Sequence, residues 1–195
     1  MTEFEQRRRA VSEVLASRKI DALLVTSLAN VRYLTGFAGS SGMVLATPTD
    51  THFFTDPRYG TDAASNVTCK VHVAKRPLTD AVAGVVKRKR LKNIGFEPEW
   101  LNLAQHEKLS KSFGTRVSLQ PAGGIVEGLR AIKSPTEIGQ IRRSVLANSE
   151  AYDRTLGRIK PGMRERDVAA ELDYQMRRLG AEKPALLSFV GGVGI

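Results

Sequence analysis

Residues 21–56 read DALLVTSLANVRYLTGFAGSSGMVLATPTDTHFFTD, and the fold class turns on them. DALLVTS (21–27) is a short apolar run of the kind that forms a strand buried on both faces. The next stretch, LANVRYLTGFAGSSG, is rich in Gly and Ser, the punctuation of turns and loops. GMVLAT (42–47) and THFFTD (51–56) are strand patterns separated by Pro48, Thr49 and Asp50, a good tight connection, so a hairpin is the simplest reading.

Working outward, residues 2–17 read as a helix, with Thr2 and Glu5 spaced as a capping box and Phe4, Val11, Val14 and Leu15 on one stripe. Downstream, a short helical stretch (57–64) precedes the strand KVHVAK. PLTDAVAGVVKRKR then reads as a helix that opens on a proline and closes in basic residues. KNIGFEP follows as a strand, NLAQHEKLSKSFG as a helix stopped by Gly114, and RVSLQPA as a last strand. Strands alternating with helices at this spacing predict an α/β domain over residues 1–124, with a mixed sheet flanked by helices.

From Ser134 to Gly180 the pattern is helical throughout. Ser134, Pro135 and Glu137 combine an N-cap, a proline at the first helical position and a capping-box acid. Ile138, Ile141, Val145, Tyr152 and Leu156 share one stripe, and Val168, Leu172, Met176 and Leu179 share another. The pair is expected to leave an apolar patch that self-associates. Residues 125–133 read as a linker, and the terminal GGVG reads as a flexible end.

The chain has 195 residues, 42% of them hydrophobic and 26% charged, which is the balance of a globular protein. The charged amino terminus lacks the apolar stretch of a secretory signal, which predicts a cytoplasmic protein. The single cysteine, Cys69, sits in a strand-like alternation and reads as a buried or edge thiol. The formal charge of +10 raises nucleic acid as a partner. The runs Arg7, Arg8, Arg9 and Lys87, Arg88, Lys89, Arg90 are instead expected on a solvated helix face or in a last turn, where cations complement the helix dipole. With only 6% aromatic residues to stack bases, nucleic-acid binding ranks last.

Chemistry-bearing constellations are scarce. His52, His72 and His106 lie at no helical i, i+4 spacing and read as structural or surface histidines rather than metal ligands. GFAGSSGM leads into a strand and lacks the nucleophile-elbow pattern. Glu97 and Glu99 flank Pro98 in a loop expected to favour the next helix start.

Taken in order, NVRYLTGFAGSSG, FFTDPRYGTDAA, NIGFEPEWLN, LRAIKSPTEIGQIRRS and RERDVAAELDYQMRRLGAE resemble the Xaa-Pro aminopeptidase, prolidase and creatinase family. The resemblance implies a creatinase-like amino-terminal domain (1–124) and a linker (125–133). It makes residues 134–195 the truncated start of a pita-bread catalytic domain.

It further implies hydrolysis of the bond preceding proline by two divalent metals, often manganese, held by two aspartates, a histidine and two glutamates. In the family pattern all those ligands lie beyond the helix at 166–179, and LLSFVGGVGI departs from that pattern. The expectation is therefore a chain without catalytic or metal-binding residues of its own, inactive alone, its ending explained by a shifted frame or premature stop. Homo-oligomerisation, as a dimer for example, or pairing with a full-length homologue is the expected partnership. Ala38, Gly39, Ser40, Ser41, Asp56, Arg58 and Tyr59 are the candidates for touching substrate or a partner's cleft.

Overall fold

The computed structural model describes residues 1–75 and 77–182, so the expectations for the terminal run after Glu182 lie outside the described residues. The chain divides into two compact units, Met1–Ile132 and Lys133–Ile195. In the first, the described residues form a six-stranded mixed sheet in the order β4-β3-β2-β1-β5-β6. Strand β1 (Ala22–Val25) runs antiparallel to β2 (Gly42–Ala46) and parallel to β5 (Asn93–Phe96), with Leu24 opposite both Leu45 and Phe96. Strands β2 and β3 (Thr51–Thr55) form the expected hairpin. The outer strands, β4 (Lys70–Val73) and β6 (Ser118–Pro121), lie parallel to their neighbours.

Alternation along β1 explains the layers. Leu23 and Val25 join a core with Val11, Leu15, Val31, Leu34 and Phe53, contributed in part by α1 (Glu3–Arg18) and α2 (Leu28–Thr35). Ala22 and Leu24 face the opposite core, where α4 (Leu78–Lys89) and α5 (Leu103–Phe113) supply Val82, Val86, Leu109 and Phe113. A central strand covered on both faces can be apolar at every position, which is why DALLVTS lacks polar alternation. The short α3 (Gly60–Asn66) crosses from β3 back to β4.

Three features differ from the sequence expectation. Residues 28–35, read as Gly- and Ser-rich punctuation, form α2, which ends at Gly36 with a left-handed φ of 80°. Arg8 is not on a solvated face: it is 8% exposed and donates to the Leu34 carbonyl at 3.0 Å and to Thr68 Oγ1 at 3.0 Å. Helical periodicity puts position 8 on the stripe of Val11 and Leu15, so the middle arginine of the run turns inward. Finally, the stretch 125–133 opens with α6 (Ile125–Ala131), whose Ile125 and Val126 are buried in the core of the first unit.

In the second unit, α7 (Pro135–Leu156) begins with the reciprocal box read from the sequence: Glu137 N–H donates to Ser134 Oγ at 3.1 Å and Ser134 N–H to Glu137 Oε2 at 2.9 Å. Helix α8 (Glu165–Arg178) packs on α7 after a turn at 157–164, so the two apolar stripes read from the sequence lie on two helices. Ile138, Ile141, Val145, Tyr152 and Leu156 remain exposed.

Candidate functional site

The seven candidate residues come from two separate segments, the connection after α2 and the turn after β3, and the first unit brings the two together. Phe37 is buried against Phe53, with ring centroids 4.8 Å apart, and meets Tyr59 edge-on at 5.3 Å. The chain at Gly39 passes directly over these rings. A Cβ there would lie 2.2 Å from Phe37 Cζ and 2.8 Å from Tyr59 Cε1, so the approach requires glycine. Ser40 donates its N–H to the Tyr59 hydroxyl at 3.3 Å, and its Oγ lies 2.9 Å from the same oxygen. The Ser41 carbonyl accepts from Thr55 Oγ1 at 2.7 Å, tying the loop to β3, while Ala38 stays exposed.

Asp56 caps the 3-10 turn Pro57–Tyr59 by accepting the Arg58 N–H at 3.0 Å. The Arg58 guanidinium returns a two-pronged pair to the same carboxylate, Nε to Oδ1 at 3.1 Å and Nη2 to Oδ2 at 2.8 Å. Beside that guanidinium the Asp56 carboxyl falls to about 2. Hydrogen bonding to Ser40 lowers the Tyr59 phenol. The Arg58 side chain is 72% exposed, so the patch presents a fixed cation, an aromatic edge and two hydroxyls. That combination suits recognition of a carbonyl or carboxylate.

The reading of Glu97 as support for the next helix is corrected by the structure. Helix α5 is capped by its own Asn102 and Gln105, whereas Glu97, 2% exposed, reaches back to the amino end of α2. Its Oε2 accepts the N–H groups of Thr26 at 2.7 Å and Ser27 at 2.8 Å. Its Oε1 accepts from Asn30 Nδ2 at 2.6 Å. The same amide nitrogen donates to Glu127 Oε1, and Asn30 Oδ1 accepts from Arg130 at 2.8 Å. Burial raises the Glu97 carboxyl, opposed by Asn30, Ser27 and Thr26 and assisted by the Glu127 charge. The available signal was a carboxylate placed directly after the buried run 94–96, a position that must find buried donors.

The histidines also regroup. His52 Nδ1 and His72 Nε2 lie 2.9 Å apart across β3 and β4, whereas the His106 ring sits on Phe96. Cys69 is unpaired and partly buried, and burial pushes its thiol up. Among the described residues no group of three or more His, Cys, Asp or Glu side chains is placed to hold a metal ion. The donor set does not fit the two-metal centre that the resemblance implies. Among the described residues no helix is long and apolar enough to cross a membrane.

Known proteins place this geometry. Residues 7–132 match the Creatinase/Prolidase N-terminal domain and residues 139–193 match metallopeptidase family M24. An uncharacterized peptidase, YqhT, of Bacillus subtilis is 34% identical over 84% of this chain and 46% of its own length. The Xaa-Pro dipeptidase from Bacillus anthracis superposes with a TM-score of 0.87 at 27% identity, over 92% of this chain and 50% of its own.

The N-terminal domain of the cytoplasmic peptidase PepQ from Mycobacterium tuberculosis superposes with a TM-score of 0.60 at 33% identity, over 64% of this chain and 98% of its own. The chain spans about half the length of the curated relatives it matches. It belongs to the creatinase/prolidase family, with the family's amino-terminal domain at residues 7–132.

Proposed function

We propose that this chain is the amino-terminal portion of an Xaa-Pro aminopeptidase- or dipeptidase-type hydrolase. Residues 1–132, with α6 packed into the core, form its creatinase-like module, and residues 133–195 form the opening of its catalytic domain. The observation that carries this reading is a creatinase-type mixed sheet followed by a segment that matches the M24 metallopeptidases. The substrates in the full-length context are peptides cut at the bond preceding proline.

Such hydrolysis uses paired metals to activate water, and holding them takes several convergent carboxylates and imidazoles. In the family pattern the residues that hold those metals lie beyond the helix at 166–179, and on that pattern the chain alone is not a peptidase. The patch of Ser40, Asp56, Arg58 and Tyr59 then serves as a surface that meets peptide or the cleft of a partner subunit. The cytoplasmic naming of the PepQ relative supports a cytoplasmic setting.

A second reading, a non-catalytic module that pairs with a copy of itself or with a full-length homologue, is favoured by the exposed apolar side chains of α7. One experiment addresses both readings. The purified chain, alone and mixed with a full-length homologue, is supplied with manganese, cobalt or zinc and assayed on an Xaa-Pro dipeptide and tripeptide. The expected result is no turnover by the chain alone and co-elution with the homologue. Metal-dependent turnover by the chain alone overturns the first reading, and elution as a monomer apart from the homologue overturns the second.

A further inference from the structure

Strand β4 is an edge strand, and beside its parallel ladder to β3 the imidazoles of His52 and His72 meet. His52 is 4% exposed, and its Nδ1 lies 2.9 Å from Nε2 of His72. At that separation one nitrogen donates and the other accepts, so a single proton sits between the rings. The Phe54 ring stacks on His72 at 4.7 Å and fixes the plane of the pair from the same strand as His52.

The charges around the pair are mostly positive. Asp50, in the hairpin turn, lies with Oδ1 3.3 Å from His52 Nε2, within ion-pair distance but without a hydrogen bond. Asp50 already holds Lys70 of β4 at 2.6 Å and Lys89 of α4 at 2.9 Å. Arg88, also of α4, acts on His72. Around the pair one carboxylate thus stands against two lysines and an arginine, a setting that opposes a bound metal cation as well as a further proton.

We propose that the His52–His72 pair is an acid-sensitive latch that fastens edge strand β4 to β3 near neutral pH and releases it in mild acid. The intact pair accommodates one excess proton, carried by His52 toward Asp50 or by the outer nitrogen of His72. A second proton puts N–H against N–H across 2.9 Å, and the contact must break.

The sign follows from burial, which lowers both histidines below the ordinary value of 6.5, reinforced for His72 by Arg88 and Lys70. The released strand binds more protons than the latched one. The latch is therefore fully present above pH 6.5 and is lost as pH falls through the depressed values of the folded pair. Between β3 and β4 the chain carries Asp56, Arg58 and Tyr59, so release slackens the segment bearing these three residues of the patch. That consequence rests on the role proposed for the patch, whereas the latch itself does not.

The test is amide hydrogen exchange on the whole chain from pH 7 to pH 4.5. The expected result is an opening constant for residues 70–73 that rises up to about tenfold per pH unit below the second protonation step, the slope of one extra proton. Residues of β1 and β5 stay flat. In His72→Gln the slope at 70–73 disappears, because the amide meets His52 either as donor or as acceptor. An equal slope in the variant, or no slope in the parent, overturns the latch.

Should His72→Gln fail to fold, histidine NMR titration of the parent decides. Two separated steps, the lower coincident with loss of β4 protection, support the proposal. Two independent titrations near 6.5 with β4 still protected overturn it.

Discussion

The first unit wraps its apolar residues around both faces of one sheet, while the second holds two well-started helices whose longer member presents Ile138, Ile141, Val145, Tyr152 and Leu156 to solvent. The difference teaches what local sequence can and cannot specify. Helix α7 carries its own start signal in Ser134 and Glu137, yet its apolar face is not covered. Helix α2 has no side-chain cap of its own, and its start depends on Glu97, some seventy residues along the chain, in a unit whose cores are complete.

The largest effect expected from testing that contrast is at Glu97. Glu97→Ala leaves the N–H groups of Thr26 and Ser27 without their buried acceptor and the Asn30 amide with Glu127 alone, at a cost of about 3 kcal/mol to the first unit. Urea unfolding followed by far-UV circular dichroism measures it, and a loss no larger than that of a surface substitution refutes the remote cap. The charge has its own signature. Because burial raises the Glu97 carboxyl, the folded state holds the proton more tightly than the unfolded chain. The stability this confers is present below about 4.5 and is lost as pH rises through the raised folded value. Glu97→Gln does not titrate, so the variant gains on the parent across that rise.

The second unit is expected to answer to its surface. Ile141→Glu with Val145→Glu places charge in the middle of the exposed stripe, which should abolish self-association and reduce binding of a hydrophobic dye. Sedimentation velocity of parent and variant makes the comparison. A parent that is already a monomer without dye binding removes the case for an interface on α7.

Much of this architecture was legible in the sequence because its signals were local. The capping boxes of α1 and α7, the hairpin at Pro48 and the buried run of β1 each follow from residues within a few positions of one another. What was missed was nonlocal. Helix α2 was hidden because its cap arrives from after β5, and Arg8 because its acceptors, Leu34 and Thr68, belong to other segments. The His52–His72 contact depends on the parallel register of β3 and β4, which no spacing within either strand announces. The candidate patch came from the family resemblance, and only the fold shows Gly39 crossing Phe37 and Ser40 meeting Tyr59.

A smaller effect is expected at the self-sufficient helix start. Ser134→Ala removes one acceptor from the first turn of α7 and should cost about 1 kcal/mol, confined to the second unit. Hydrogen exchange at residues 136–139 reports it without involving the sheet. Equal losses of protection in β1 would show that the two units unfold together, and the contrast between them would become one of geometry rather than of stability.

The smallest effect belongs to the patch itself. Arg58 is solvent-facing and Asp56 only partly covered, so their pair contributes orientation more than stability. The Arg58 guanidinium lowers the Asp56 carboxyl to about 2, so the pair should persist as pH falls past the ordinary carboxylate value of 3.8 and part only near the lowered one. The sign is opposite to that at Glu97: here the unfolded chain takes up the proton first, and the favourable contribution is lost as pH falls. Arg58→Gln should return the Asp56 titration, followed by carbonyl-carbon NMR, toward 3.8 while the unfolding midpoint at neutral pH stays where it was. A variant that also loses stability would mean that the turn after β3 is held by this ion pair. Arg58 would then be part of the scaffold rather than a group left available to a peptide or a partner.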